Sequence, residues 1–96
     1  MNFAEQTIQD AIEDGNKFVV LEPREVFAPS VMYFEQTHKR LVYNLDILLA
    51  CLSKAYGWDA IESLEWFDYN VFPLTHMEKG PLFYDEYEEK CLTIED

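Results

Sequence analysis

Few residues of this 96-residue chain are equipped for catalysis or metal binding, and they are poorly spaced for either. His38 and His76 are the only histidines and Cys51 and Cys91 the only cysteines. No HxxxH or CxxC spacing links them, and a structural zinc site needs four nitrogen or sulfur ligands brought together. The plain reading of His38 is a turn residue and of His76 a loop residue. Asp85, Glu86, Glu88 and Glu89 bunch enough oxygens to raise calcium, but the turn glycine and the ligand rhythm of a calcium loop are missing. General acid and base carboxylates need surroundings that split their pKa values, whereas these acids lie among other acids on polar faces. No glycine-rich phosphate loop, nucleophile elbow or dinucleotide fingerprint occurs. The chain reads as a binding protein, not an enzyme, with no cofactor and no metal.

The constellation suited to binding lies between residues 59 and 71. At 100° per residue, Ala60, Ile61, Leu64, Phe67 and Val71 share one side of a helix, which is the expected core face. The other side then carries Asp59, Glu62, Glu65, Trp66 and Tyr69. Exposed large aromatics mark contact sites, so an acidic face interleaved with Trp and Tyr is expected to be a partner-binding surface. The acids Asp85, Glu86, Glu88 and Glu89 extend it as a candidate second patch. The alternative is that the N-terminal helix or the tail covers Trp66 and Tyr69.

The elements that must position these residues follow from local signals. Asn2 and Glu5 match a capping box, and Ala4, Ile8, Ala11 and Ile12 recur at helical spacing, which predicts a helix over 3–14. Lys17 to Leu21 is rich in β-formers and stops at Glu22-Pro23, the pattern of a short strand. A loop is expected over 24–30. Val31 to Glu35 and Arg40 to Tyr43 flank the polar Gln36-Thr37-His38-Lys39, the pattern of a hairpin. Asn44 can cap a helix from Leu45 to Tyr56 that Gly57 ends in the left-handed conformation. That helix is apolar on nearly every side, so it is expected to be buried on two faces or shared with another copy through Leu45, Leu49 and Leu52. Asp59 and Glu62 announce the helix over 60–70. After Val71 the expectation is a loop, an edge strand at Leu82 to Tyr84, and an acidic tail. The fold class expected is α+β, one small domain over 1–96 with a hairpin or three-stranded antiparallel sheet.

Charge narrows the class of partner. The chain has 19 acids against 7 bases, a net charge of -12. Phosphate-held nucleic-acid binding needs clustered Lys and Arg, so direct nucleic acid and anionic membrane surfaces are excluded as partners. A basic partner is favoured, drawn in by the field and weakened by salt. The C-terminal part carries most of that field: residues 59–96 hold 11 acids and 2 bases, residues 1–58 hold 8 and 5. Acidity that merely keeps a small domain soluble is the alternative. The longest nearly apolar run, Leu45 to Leu52, is far short of the roughly 20 residues that span a bilayer. Lone thiols without a leader read as reduced, so a cytoplasmic location is expected.

The stretch RLVYNLDILLACLSKAYGWDAIESLEWFDYNV, followed by EKGPLF, resembles a recurrent pattern in short phage and prophage proteins of unknown function. The matching residues are Leu41 to Asn44, Gly57, Glu65 to Asn70 and Glu78 to Phe83, within a resemblance that covers about Pro23 to Tyr84. The chain departs from the pattern at Phe72 to Met77, where Pro73, Leu74, Thr75 and His76 stand in place of small residues and Gly. The resemblance implies a phage origin and no particular chemistry. Small acidic phage proteins include inhibitors of host defence, such as anti-CRISPR proteins and DNA mimics, an analogy of size, charge and origin. The function expected is therefore an inhibitor in the cytoplasm of an infected bacterium. Its partner would be a host nucleic-acid-binding protein with a basic surface, such as a CRISPR effector. The second expectation is a self-associating accessory or structural phage protein.

Overall fold

Polar side chains at the helix ends set the frame. The computed structural model describes residues 2–92. The Asn2 side chain accepts the Glu5 backbone N–H at 2.8 Å and starts α1, Phe3–Glu13. Asn44 does the same for Ile47 at 3.0 Å and starts α3, Leu45–Tyr56. Each cap satisfies one of the donors a helix start leaves unpaired. Gly57 ends α3 with φ 72°, a left-handed conformation that a Cβ would strain. Asp59 then opens α4, Ala60–Asn70, with a complete capping box in which Glu62 reaches back to the Asp59 N–H. Only Gly57, Trp58 and Asp59 separate α3 from α4.

The α+β class holds, with a mixed four-stranded sheet in the order β1-β2-β3-β4. β1 (Val31–Glu35) and β2 (Arg40–Asn44) form the expected hairpin, with a register shift between Val31 and Tyr33. β3 (Leu82–Asp85) pairs parallel with β2, Val42 opposite Leu82, and antiparallel with β4 (Lys90–Cys91). The expected edge strand is thus an inner strand, and the sheet is not purely antiparallel. A parallel neighbour requires a long crossover, here α3, α4 and a 3-10 turn at Phe72–His76. The expected acidic tail is also corrected: Asp85 to Glu89 belong to the β3–β4 hairpin and its turn. Glu95 and Asp96 lie outside the described residues.

Two further expectations change. Lys17 to Leu21 forms no strand: Val19 N–H donates to the Lys79 carbonyl and Leu21 N–H to the Tyr43 hydroxyl, single bonds in place of a ladder. Its apolar residues are used for packing, with Phe18 against Phe34 at 4.9 Å and Leu21 buried. Arg24 to Ser30 is not a loop but a short α2 (Arg24–Phe27) running into a 3-10 turn, with Phe27 in the core.

The core joins one face of the sheet to α1, α2, α3 and α4 through Ile8, Phe27, Leu41, Tyr43, Leu48, Leu52, Phe67 and Phe83. Tyr43 is buried deeply enough that its phenol is pushed up to about 12. Leu45 and Leu52 are covered within the chain itself, and Leu49 is half-covered. The three leucines therefore do not form a free face for a second copy. Leu45, Leu48 and Leu52 of α3 are buried, whereas Ile47 and Tyr56 stay 44% and 45% exposed.

Candidate functional site

The orientation of α4 decides what this protein shows to a partner. Ser63 and Phe67 are buried and Val71 follows them, whereas Ile61 is 70% exposed and Leu64 44% exposed. The expected core face of Ala60, Ile61, Leu64, Phe67 and Val71 is thus correct at Phe67 and Val71 and wrong at the first three. The helix is turned by about 60° from the expected phase, less than one residue's rotation. The cause is a polar contact: Ser63 Oγ meets Ser53 Oγ of α3 at 2.9 Å. Two small side chains let the helices approach closely and satisfy each other's hydroxyls, so the seam runs through serines instead of leucines.

This rotation leaves Glu62, Glu65 and Tyr69 outside and holds Trp66 at the rim, half-covered. The cover comes from the α3–α4 connection. Trp58 lies against Trp66 with ring centroids 5.5 Å apart, and Tyr56 stacks on Trp58 at 4.8 Å and 27°. Trp58, Glu62, Glu65, Trp66, Tyr69 and Asn70 line an open groove of about 380 Å³. Tyr69 projects with 86% of its surface exposed. Neither α1 nor the chain end closes over Trp66 and Tyr69 within the described residues.

The hydrogen bonds of the groove are partly committed. The Asp59 carboxylate accepts the Glu62 N–H at 2.8 Å, so this expected site residue serves the helix start. One Glu62 oxygen accepts the Asp59 N–H at 3.2 Å, which leaves its second oxygen to the groove. Asn70 donates its amide to the Trp66 carbonyl at 3.1 Å and keeps its own side-chain oxygen as an acceptor. Among the described residues the one ion pair is His38 with Glu35, at 2.6 Å in the β1–β2 turn. Glu62 and Glu65 form no ion pair among the described residues.

No family model, curated protein or solved structure matches this chain. The site is therefore read from its own geometry.

The four hairpin acids do not join the groove. Asp85 accepts the Tyr87 and Glu88 N–H groups at 2.9 and 3.4 Å, holding the turn, and Glu86 accepts the Asn44 amide. Asp46, in the first turn of α3, has its carboxyl pushed up by partial desolvation and then by the charges of Asp85 and Glu86. Glu88 and Glu89 are exposed at the turn. Of the expected contact residues, Glu62, Glu65, Trp66 and Tyr69 come together, Asp59 sits beside them as a cap, and Asp85, Glu86, Glu88 and Glu89 are elsewhere. Sequence reasoning missed Trp58 and Asn70. A signal for Trp58 was present in Tyr56-Gly57-Trp58, two aromatics flanking a left-handed helix end that turns the chain back toward Trp66.

The cysteines are free and half-buried, and burial pushes both thiols up from their usual range, which disfavours the reactive thiolate. No helix among the described residues is long and apolar enough to cross a membrane.

Proposed function

We propose that this protein is a binding module whose α4 groove docks onto a cationic, nucleic-acid-binding surface of a partner protein and competes for it with nucleic acid. One observation carries the reading: Glu62 and Glu65, which form no ion pair among the described residues, line an open groove together with Trp58, Trp66 and the exposed Tyr69. A surface whose only task is solubility has no use for three clustered aromatics, because exposed apolar area works against solubility. An aromatic anchor inside an acidic frame matches the anatomy of an interface, with a desolvated centre and charges that steer the approach.

Basic channels that hold nucleic acid are lined by Lys and Arg aimed at phosphates. Glu62 and Glu65 stand about one helical turn apart on the same face, about 4.5 Å along the axis, against an axial advance of about 3.4 Å per phosphate on each strand of a duplex. The match in spacing is loose, so the carboxylates would meet the same cations without copying a duplex. The resemblance to phage proteins makes a host defence protein, including an RNA-guided nuclease, the partner class we favour.

The test is affinity capture from a bacterial lysate with the wild-type chain and with Glu62→Lys/Glu65→Lys, at low and high salt, followed by displacement with DNA or RNA. The reading expects a captured protein that high salt releases, that nucleic acid displaces, and that the double variant fails to bind. A partner held equally at both salts, and still carrying its nucleic acid, overturns it.

A further inference from the structure

We propose that the groove lined by Trp58, Trp66, Glu62 and Glu65 seats an arginine side chain of the partner, with the guanidinium on the indole surface that faces the groove and its N–H groups on Glu62 and Glu65; this rests on the docking role proposed above and names the group that docks. The groove volume of about 380 Å³ is at the lower end of the range for ligand pockets, so it suits one side chain better than a polypeptide segment. Its two features, aromatic floor and carboxylate frame, select for a cation that can use both at once.

A guanidinium is such a cation. It is planar and weakly hydrated, stacks on aromatic faces, and presents N–H donors in a fork that fits carboxylates. The Trp58 and Trp66 rings, 5.5 Å apart and inclined at 42°, supply indole surfaces, and tryptophan is the strongest aromatic partner for a cation. The acceptors are the unbonded Glu62 oxygen, the Glu65 carboxylate and the remaining oxygen of the Asn70 amide. A lysine ammonium fits less well, since it is a compact and strongly hydrated charge that does not stack. A quaternary ammonium has no N–H to give these acceptors, and the groove is too open to form a closed aromatic cage. The Tyr56 ring stacked behind Trp58 at 4.8 Å holds the floor in place before the partner arrives, which lowers the ordering cost of binding.

Trp58 and Trp66 are the only tryptophans in the chain, so tryptophan emission reports on this groove alone. The experiment titrates the full chain, at physiological salt, with capped tetra-arginine and capped tetra-lysine peptides of equal charge. The proposal expects a saturable change in emission with the arginine peptide, at an affinity about tenfold above that of the lysine peptide. Glu62→Gln/Glu65→Gln should remove most of that preference, and Glu88→Gln/Glu89→Gln, an equal charge change on the hairpin turn, should leave it. Trp66→Phe retains an aromatic ring and one reporter tryptophan, and should weaken the arginine peptide more than the lysine peptide. Equal affinities for the two peptides overturn the arginine seat while leaving salt-sensitive docking to a cationic surface standing. Emission that responds to neither peptide overturns it as well, and the nucleic-acid displacement assay then judges the broader reading by itself.

Discussion

Two acidic, aromatic segments of this protein look alike in composition and differ in what stands beside their charges. In α4, Glu62 and Glu65 frame a groove with Trp58, Trp66 and Tyr69. In the β3–β4 turn, Asp85, Glu86, Glu88 and Glu89 surround Tyr87, which is 88% exposed. Yet Asp85 is spent on the turn's own backbone and Glu86 on Asn44, and no second ring packs beside Tyr87. Glu62, Asp85 and Glu86 each commit one carboxylate oxygen to their own chain and keep the other, so the difference lies in the rings: a lone exposed ring offers no wall to lie against. Charge density alone therefore does not distinguish a contact surface from a turn. What distinguishes α4 is that a rigid helix start, a tight connection and stacked rings present acceptors and aromatic walls in one place.

The largest effect that can test this picture lies beneath the groove. Phe67 is buried edge-on to Phe83 at 4.8 Å and 85°, and it anchors the helix that carries Glu62, Glu65 and Trp66. Phe67→Ala should cost about 3–5 kcal/mol, the range for emptying a buried aromatic site. Leu64→Ala, three residues earlier and 44% exposed, should cost about 1 kcal/mol. Denaturant midpoints with unchanged slopes would measure both. A Leu64→Ala loss as large as that of Phe67→Ala would show that α4 is seated in the phase that Ile61 and Leu64 suggest, with Trp66 and Tyr69 turned elsewhere.

The next effect concerns the approach of a partner. Glu62→Lys/Glu65→Lys should slow association with a cationic partner and flatten its dependence on salt, because the field that steers encounter is what salt screens. The matching Glu88→Lys/Glu89→Lys change on the hairpin turn should alter association less and dissociation not at all. Trp66→Ala should act mainly on dissociation, by removing the packed anchor. Stopped-flow rates at two ionic strengths would separate these outcomes. Equal effects of the two charge reversals would erase the distinction between the segments and leave only net charge as the recognition element.

Much of this arrangement was legible locally. The caps Asn2, Asn44 and Asp59, the helix stop at Gly57 and the hairpin over 31–44 are each encoded within a few residues, and the structure reproduces them. The parallel pairing of Val42 with Leu82 was not legible, because its partners are joined only through the whole helical crossover. The phase of α4 was missed because a hydrophobic pattern gives no weight to serine, and Ser63 is where α3 touches. Lys17 to Leu21 has strand-forming residues, but its backbone N–H groups find a carbonyl and a tyrosine hydroxyl instead of a neighbouring strand. For the site, Glu62, Glu65, Trp66 and Tyr69 were readable because they share one helix. Trp58 was harder to read, since it belongs to no periodic element: its one local signal is the pair of aromatics flanking the helix stop at Gly57, and it reaches the groove through that reversal.

The smallest effect separates acids by what they are bonded to, and it reads out in the pH dependence of stability. In the β1–β2 turn, partial desolvation pulls the Glu35 carboxyl up, but the His38 ring and the N–H groups of His38 and Thr37 together outweigh it and hold it at about 2. A carboxyl lowered on folding stabilises the native state above its ordinary range near 4.5, and that contribution disappears as pH falls from there through about 2. Asp46 has the opposite sign. Its carboxyl is raised above 3.8 by partial desolvation and by Asp85 and Glu86, so its charge opposes folding above that range, and the penalty fades as pH falls through it. Glu35→Gln should therefore be less stable than wild type near neutral pH, with the gap closing in acid. Asp46→Asn should be slightly more stable near neutral pH, again with the gap closing in acid. Chemical denaturation from about pH 7 to pH 2 would follow both gaps. If Asp46→Asn instead lost stability at neutral pH, the acids of the hairpin would not be crowding the start of α3.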